Sequence, residues 1–186
     1  MNKDLTSYVK IYKVFEPEFC SEVVLSLGQA DWREHQFNIA GTNEFISYDN
    51  ELSVSHYEAP KKREMTERLW GVIKQYLNEM ECQEWFNSWS GYTAIRFNKY
   101  DVNTQMKIHC DHIHTIFDGE RKGIPILTIL GALNDGYEGG ELILWQDTEI
   151  KIPPGHVAVF PSNFLYPHKV EPVKSGVRHS YVSWVW

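Results

Sequence analysis

Apolar residues at three- and four-residue spacing predict one long helix. Met65, Leu69, Val72, Ile73, Tyr76, Leu77 and Met80 share a stripe over residues of about 60–80, with Lys61, Lys62, Glu64, Glu67 and Lys74 on the other side. Such a helix backs a sheet. A shorter helix is expected from about 17 to 27, because Pro17 suits the first turn and Gly28 the position just past the end. Residues 8–15 (YVKIYKVF) alternate as a strand does. Residues 31–50 have no clear period and are expected to be loop with short strand.

From Tyr92 the pattern changes. YTAIRFNKY, MKIHCDH, IPILTIL, GELILW, IKIPPGHVAVF, HKVEPV and RHSYVSWVW are short strand-like runs separated by turn-forming segments. No helical stretch lies between them, which disfavours a parallel βαβ sheet. The pattern predicts a mostly β fold, an antiparallel barrel or jelly roll covered on one side by the N-terminal helices. The expected organisation is one domain over 1–186, with a helical and strand support region at 1–90 and a β-core at 91–186. Asn134-Asp135-Gly136 and Gly139-Gly140 are expected to turn the chain between 126–133 and 141–145, either as a plain hairpin turn or as a loop at the substrate.

Composition narrows the function. The net charge is −7 and Lys and Arg form no block, so no nucleic-acid partner is expected. No run approaches the ~18 apolar residues of a membrane span, and the start, MNKDLTSYVK, lacks the apolar segment of a leader. Cys20, Cys82 and Cys110 cannot all pair within one chain, which fits a reduced, cytoplasmic protein. Aromatic residues make up 14% of the chain, more than a small core needs. Trp89, Tyr92, Trp145 and Tyr166 are candidates for an apolar groove.

The candidate chemistry begins at His109-Cys110-Asp111. In a strand His109 and Asp111 face one way and Cys110 the other, so an imidazole and a carboxylate can take neighbouring coordination positions. His168 follows Tyr166-Pro167, which favours an extended approach, and is the natural third ligand. Two histidines and one carboxylate form the facial triad that suits non-haem Fe(II). A hydrogen-bonded histidine at a strand end would look the same in sequence. A zinc cluster of His109, Cys110, His112 and His114 competes, but alternation divides it between two faces and no second cysteine pair follows.

Arg178 adds a second element. In RHSYVSWVW it shares a face with Ser180, Val182, Trp184 and Trp186, and a guanidinium among apolar neighbours calls for an anion. A metal triad with an inward arginine beside Trp184 suits a 2-oxo acid with a distal carboxylate. Pairing with an Asp or Glu, or exposure at the strand start, is the other reading of Arg178.

Taken together, Tyr100, His109-Cys110-Asp111, Tyr137-Glu138-Gly139-Gly140-Glu141-Leu142, Pro154-Gly155 before VAVFPS, Tyr166-Pro167-His168 and Gly176-Val177-Arg178 leading to Trp184 resemble the Fe(II) and 2-oxoglutarate-dependent oxygenases of the prolyl 4-hydroxylase group, particularly small single-domain microbial or phage-borne members. The resemblance spans about residues 92–186. It implies a double-stranded β-helix, with His109, Asp111 and His168 as iron ligands and Arg178, Tyr100 and Trp184 at the 2-oxoglutarate. It also implies O₂ as cosubstrate, ascorbate as a candidate reductant, and hydroxylation of an unactivated carbon, a peptidyl proline first, with release of succinate and CO₂. A free amino acid, another protein side chain or a small metabolite are the alternative substrates. A non-catalytic jelly-roll module that binds metal or a protein partner is the alternative class. Gly155-His156, where many members have Gly-Asp, and an arginine where collagen-type enzymes have lysine both weaken any transfer of a collagen substrate.

Overall fold

The computed structural model describes residues 4–39, 42, 44–86, 89, 91–111 and 124–186. The N-terminal half contains β1 (Lys10–Lys13), α1 (Pro17–Ser26), β2 (Arg33–Glu34), β3 (Phe37–Asn38), β4 (Phe45–Ile46), β5 (Ser53–Ser55) and α2 (Lys62–Glu79). The rest is strand: β6 (Arg96–Tyr100), β7 (Met106–His109), β8 (Leu127–Ala132), β9 (Tyr137–Gly139), β10 (Leu142–Leu144), β11 (Thr148–Ile150), β12 (His156–Pro161), β13 (His168–Val170), β14 (Val173–Gly176) and β15 (Arg178–Val185).

Two sheets face each other. The major sheet runs β1-β12-β8-β15-β6-β5-β2 and the minor one β11-β10-β13-β7, and the pairings within both are antiparallel. This is the antiparallel jelly roll that the sequence pattern predicts and the double-stranded β-helix that the resemblance implies. The N-terminal strands are not a separate layer, because β1 pairs with β12 and β5 with β6 at the two flanks of the major sheet.

Alternation divides the core in two. One face of the major sheet gives Phe97, Ile129, Val157, Val159, Tyr181 and Val185 to a cluster with Val23, Leu27, Met65, Leu69, Ile73 and Tyr76 of the helical region. The other gives Tyr100, Leu130, Ala158 and Phe160 to a cluster with Leu142, Leu144 and Val170 of the minor sheet, which is the barrel interior. Strand β8 is buried at every position because it is covered on both faces. At Gly131 there is no room for a side chain, since a Cβ would sit 2.1 Å from the Tyr181 ring.

The helix stripe holds, with Met65, Leu69, Val72, Ile73, Tyr76 and Leu77 all buried. Lys62, expected on the solvent side, is instead buried, and its Nζ donates to the His56 carbonyl at 3.0 Å and to Glu58 at 2.6 Å. At the end of α1, Gly28 does not form a left-handed cap, because Leu27–Gln29 continue as a 3₁₀ turn. The hairpin expected between 126–133 and 141–145 does not form: β8 and β10 belong to different sheets, and β9 pairs with β14. No helix among the described residues is long and apolar enough to cross a membrane.

Candidate metal and cosubstrate site

The minor sheet brings the two histidines together. His168 opens β13 opposite His109 at the end of β7, and their ring centroids lie 4.4 Å apart. Asp111 follows two residues after His109, just beyond the strand. His109 Nε2 lies 3.6 Å from Asp111 Oδ1, and His168 Nε2 3.8 Å from Asp111 Oδ2. Among the described residues these three form the group that could hold a metal, with candidate ligand atoms all within 4.8 Å of one another. His112 and His114 lie outside the described residues.

Hydrogen bonds prepare the rings for a metal. His109 Nδ1 lies 2.8 Å from the Lys107 carbonyl, and His168 Nδ1 lies 3.1 Å from the Tyr166 carbonyl. A carbonyl only accepts, so each Nδ1 carries the hydrogen and each Nε2 keeps its lone pair toward Asp111. Burial pushes His168 down to about 4, keeping the ring neutral and fit for coordination. Burial alone would push the Asp111 carboxyl up. The positive charge that His168 and His109 carry when protonated, together with the Thr128 hydroxyl, outweighs that, so the Asp111 carboxyl gives up its proton well below the usual carboxylate range. Two neutral imidazoles and an ionised carboxylate form a donor set that fits Fe(II).

Thr128 was not legible as part of the site. Its hydroxyl donates to Asp111 Oδ2 and lies 2.7 Å from the Ser162 hydroxyl, all fully or nearly fully buried.

Arg178 is 3% exposed and faces the barrel interior. Its Nη1 donates to Ser180 Oγ at 3.0 Å, its guanidinium lies 4.8 Å from the centre of the Tyr100 ring, and its Nε has no acceptor. The register explains the contact, because Arg178 is directly opposite Tyr100. Gly140 makes room for it, since a Cβ there would meet Arg178 Cδ at 2.9 Å. A buried guanidinium with an orphan donor fits a carboxylate guest. A cavity of about 510 Å³ opens beside Arg178, lined by Asn134, Tyr137, Gly140, Leu142 and Ile152 among others, and none of the three candidate ligands lines it.

Trp184 is not beside Arg178. Six residues of strand separate them by about 20 Å, and the guanidinium over the Trp184 ring, at 5.0 Å, is that of Arg96. The aromatic groove also divides. Trp145 and Tyr166 lie 6.0 Å apart beside the barrel cluster, whereas Trp89 and Tyr92 pack with Trp70 on the helical side.

Fold and donor set together define a double-stranded β-helix with a centre of two histidines and one carboxylate. The 2OG-Fe(II) oxygenase superfamily model matches residues 95–186, and the chain belongs to that superfamily. A PKHD-type hydroxylase of Bordetella pertussis is 25% identical over 187 aligned positions, covering 95% of this chain and 77% of that protein. One from Crocosphaera subtropica is 33% identical over 97 residues, which cover 50% of this chain and 42% of that protein. Among solved structures, a Trichoplax adhaerens prolyl hydroxylase in complex with a hypoxia inducible factor peptide superposes with a TM-score of 0.70 at 16% identity, covering 97% of this chain and 84% of that one. A Pseudomonas putida prolyl-4-hydroxylase gives 0.66 at 14%, covering 96% and 91%. These two likenesses are of fold. The superfamily implies Fe(II), 2-oxoglutarate and O₂ as its cofactor and cosubstrates.

Proposed function

We propose that this chain is a dioxygenase, acting as one domain, that hydroxylates an unactivated carbon, with a peptidyl proline as the first candidate substrate. His109, Asp111 and His168 would hold Fe(II), and Arg178 and Tyr100 the distal carboxylate of 2-oxoglutarate. The observation that carries this reading is the convergence of two Nε2 lone pairs on the Asp111 carboxylate, with both Nδ1 atoms tied to backbone carbonyls.

When bound, iron with 2-oxoglutarate and O₂ would supply the oxidising power, with one oxygen atom for the product hydroxyl and the other for succinate, 2-oxoglutarate losing CO₂. The side chains position and exclude. Asp111, anchored by Thr128, contributes one fixed anionic donor. Arg178 fixes the far end of the cosubstrate and so aims its 2-oxo end at the triad. Leu130, Leu142, Leu144, Ala158 and Phe160 keep the barrel interior dry.

The test is an anaerobic titration of apo protein with Fe(II) and 2-oxoglutarate, followed by O₂ and a peptide library with mass analysis. Metal-dependent 2-oxoglutarate binding and a gain of one oxygen on a library member are expected. Failure to bind 2-oxoglutarate in the presence of Fe(II) would remove the proposal.

A further inference from the structure

The barrel holds a second arginine, on β6. On β6, Arg96, Asn98 and Tyr100 share the face that meets Arg178, Ser180 and Val182 of β15, since Tyr100 pairs with Arg178, Asn98 with Ser180 and Arg96 with Val182. Four residues of strand place the Arg96 backbone about 13 Å from that of Tyr100. In the same register Trp184 is opposite Thr128, the residue that donates to Asp111. Along this ladder Arg178 therefore lies at the end distant from Thr128 and Asp111, and Arg96 with Trp184 at the end beside them.

Arg96 lacks an anion. Its Nε donates to Asn98 Oδ1 at 3.1 Å, and among the described residues its terminal nitrogens have no hydrogen-bond acceptor and no carboxylate within ion-pair distance. Asp111 is near enough to stabilise its charge through space, but its oxygens face the two histidines and Thr128. Trp184, whose ring carries the guanidinium, also holds a buried indole N–H without an acceptor. The guanidinium over the Trp184 ring and the indole N–H of the same residue form a donor set for an anionic oxygen, and leaving the buried indole N–H unpaired is costly. Arg96 is only partly buried, so an incoming molecule can reach it.

We propose that Arg96, supported by Trp184, determines substrate specificity by binding a carboxylate that the substrate carries close to the carbon to be hydroxylated. This rests on the oxygenase reading above and deepens it. The carboxylate comes either from the α-carboxyl of a free or C-terminal amino acid or from an acidic side chain next to the target residue in a peptide. A capped peptide without such a group would leave the guanidinium unpaired.

The test uses protein loaded anaerobically with Fe(II) and 2-oxoglutarate. Each amino acid is offered free, at the C-terminus of an acetylated dipeptide, and within a capped peptide beside Asp, each paired with its amide or Asn counterpart. Binding is read by calorimetry, and oxygen gain by mass after O₂ is admitted. The acid member of at least one pair should bind and react while its amide does not, and the arm in which this happens identifies the source. R96L should weaken that binding about 10- to 150-fold, the range for a hydrogen bond to a charged group, and R96K should recover part of it. Affinity for 2-oxoglutarate should not change in either variant, which also shows that both fold. Equal turnover of acids and amides, or no bound acid in any arm, would overturn the assignment while leaving the oxygenase reading intact. Loss of 2-oxoglutarate affinity in R96L would overturn it too, by placing Arg96 on the cosubstrate. Absence of 2-oxoglutarate binding in the wild type would remove both.

Discussion

The Thr128 hydroxyl donates to Asp111 Oδ2 from the strand opposite Trp184, so a residue of the major sheet fixes a carboxylate attached to the minor one. Thr128→Val keeps the shape and removes the donor. Metal affinity should fall about 10- to 100-fold, the usual effect of losing a hydrogen bond that orients a ligand, and Thr128→Ser should restore most of it. Competition with a chelator of known affinity measures both. Unchanged affinity in Thr128→Val would show that the Asp111 orientation is set elsewhere.

His109→Ala, Asp111→Ala and His168→Ala should each lose Fe(II) stoichiometry after anaerobic gel filtration while circular dichroism stays like that of the wild type. If all three retain iron, the triad assignment fails.

Arg178→Leu should retain Fe(II) and bind 2-oxoglutarate much more weakly, while Arg178→Lys keeps part of the affinity without the fork geometry. A 2-oxo acid lacking the distal carboxylate should bind the wild type and Arg178→Leu about alike. Titrating both ligands into both proteins gives the coupling directly. An equal loss for the two ligands would indicate a collapsed pocket instead.

Burial pushes His179 down, the nearby Lys99 adds to this, and Asp101 opposes it; the ring lies against Trp32. The folded protein therefore keeps this ring neutral where the unfolded chain, near the ordinary value of about 6.5, takes up a proton. The unfolded state binds more protons below that pH, so stability is full above it and falls as the pH drops toward the lower folded value. Urea midpoints at pH 7 and pH 5 should show this loss, and His179→Gln should reduce it. An identical pH dependence in the variant would assign the effect to other groups.

Gly131→Ala should destabilise the fold by roughly 1–3 kcal/mol, the usual range for overpacking, because the new methyl group meets the buried Tyr181 ring. Combining it with Tyr181→Leu should recover part of the loss, and equilibrium unfolding of the three variants measures this.

Much of the architecture was legible because burial on one face leaves a period in the chain. The α2 stripe, the strand runs after Tyr92 and the shared face of Arg178 and Ser180 follow from spacing alone. The convergence of His109, Asp111 and His168 was legible because two of them sit two residues apart and the third follows a proline. Arg96 was not, since which face of β6 looks inward is decided by pairing with β15. Thr128 was hidden because it stands in a run buried on both sides, where a threonine reads as one more β-branched residue. Strand β5 is three residues long and too short to show a period. Lys62 satisfies its ammonium through a backbone carbonyl and Glu58, contacts that a helical wheel does not display.

Strand β15 carries Arg178 near one end of the barrel face and Trp184 near the other, on one continuous ladder with β6 and β8. The distance between the two guanidinium sites is therefore set by peptide units and not by side-chain choice. Replacing single residues at 96 or 182 can retune what the pocket admits, whereas gaining or losing one residue within β15 would turn every later side chain to the opposite face. The ladder therefore tolerates substitution but not a change of length, which the connecting loops can absorb.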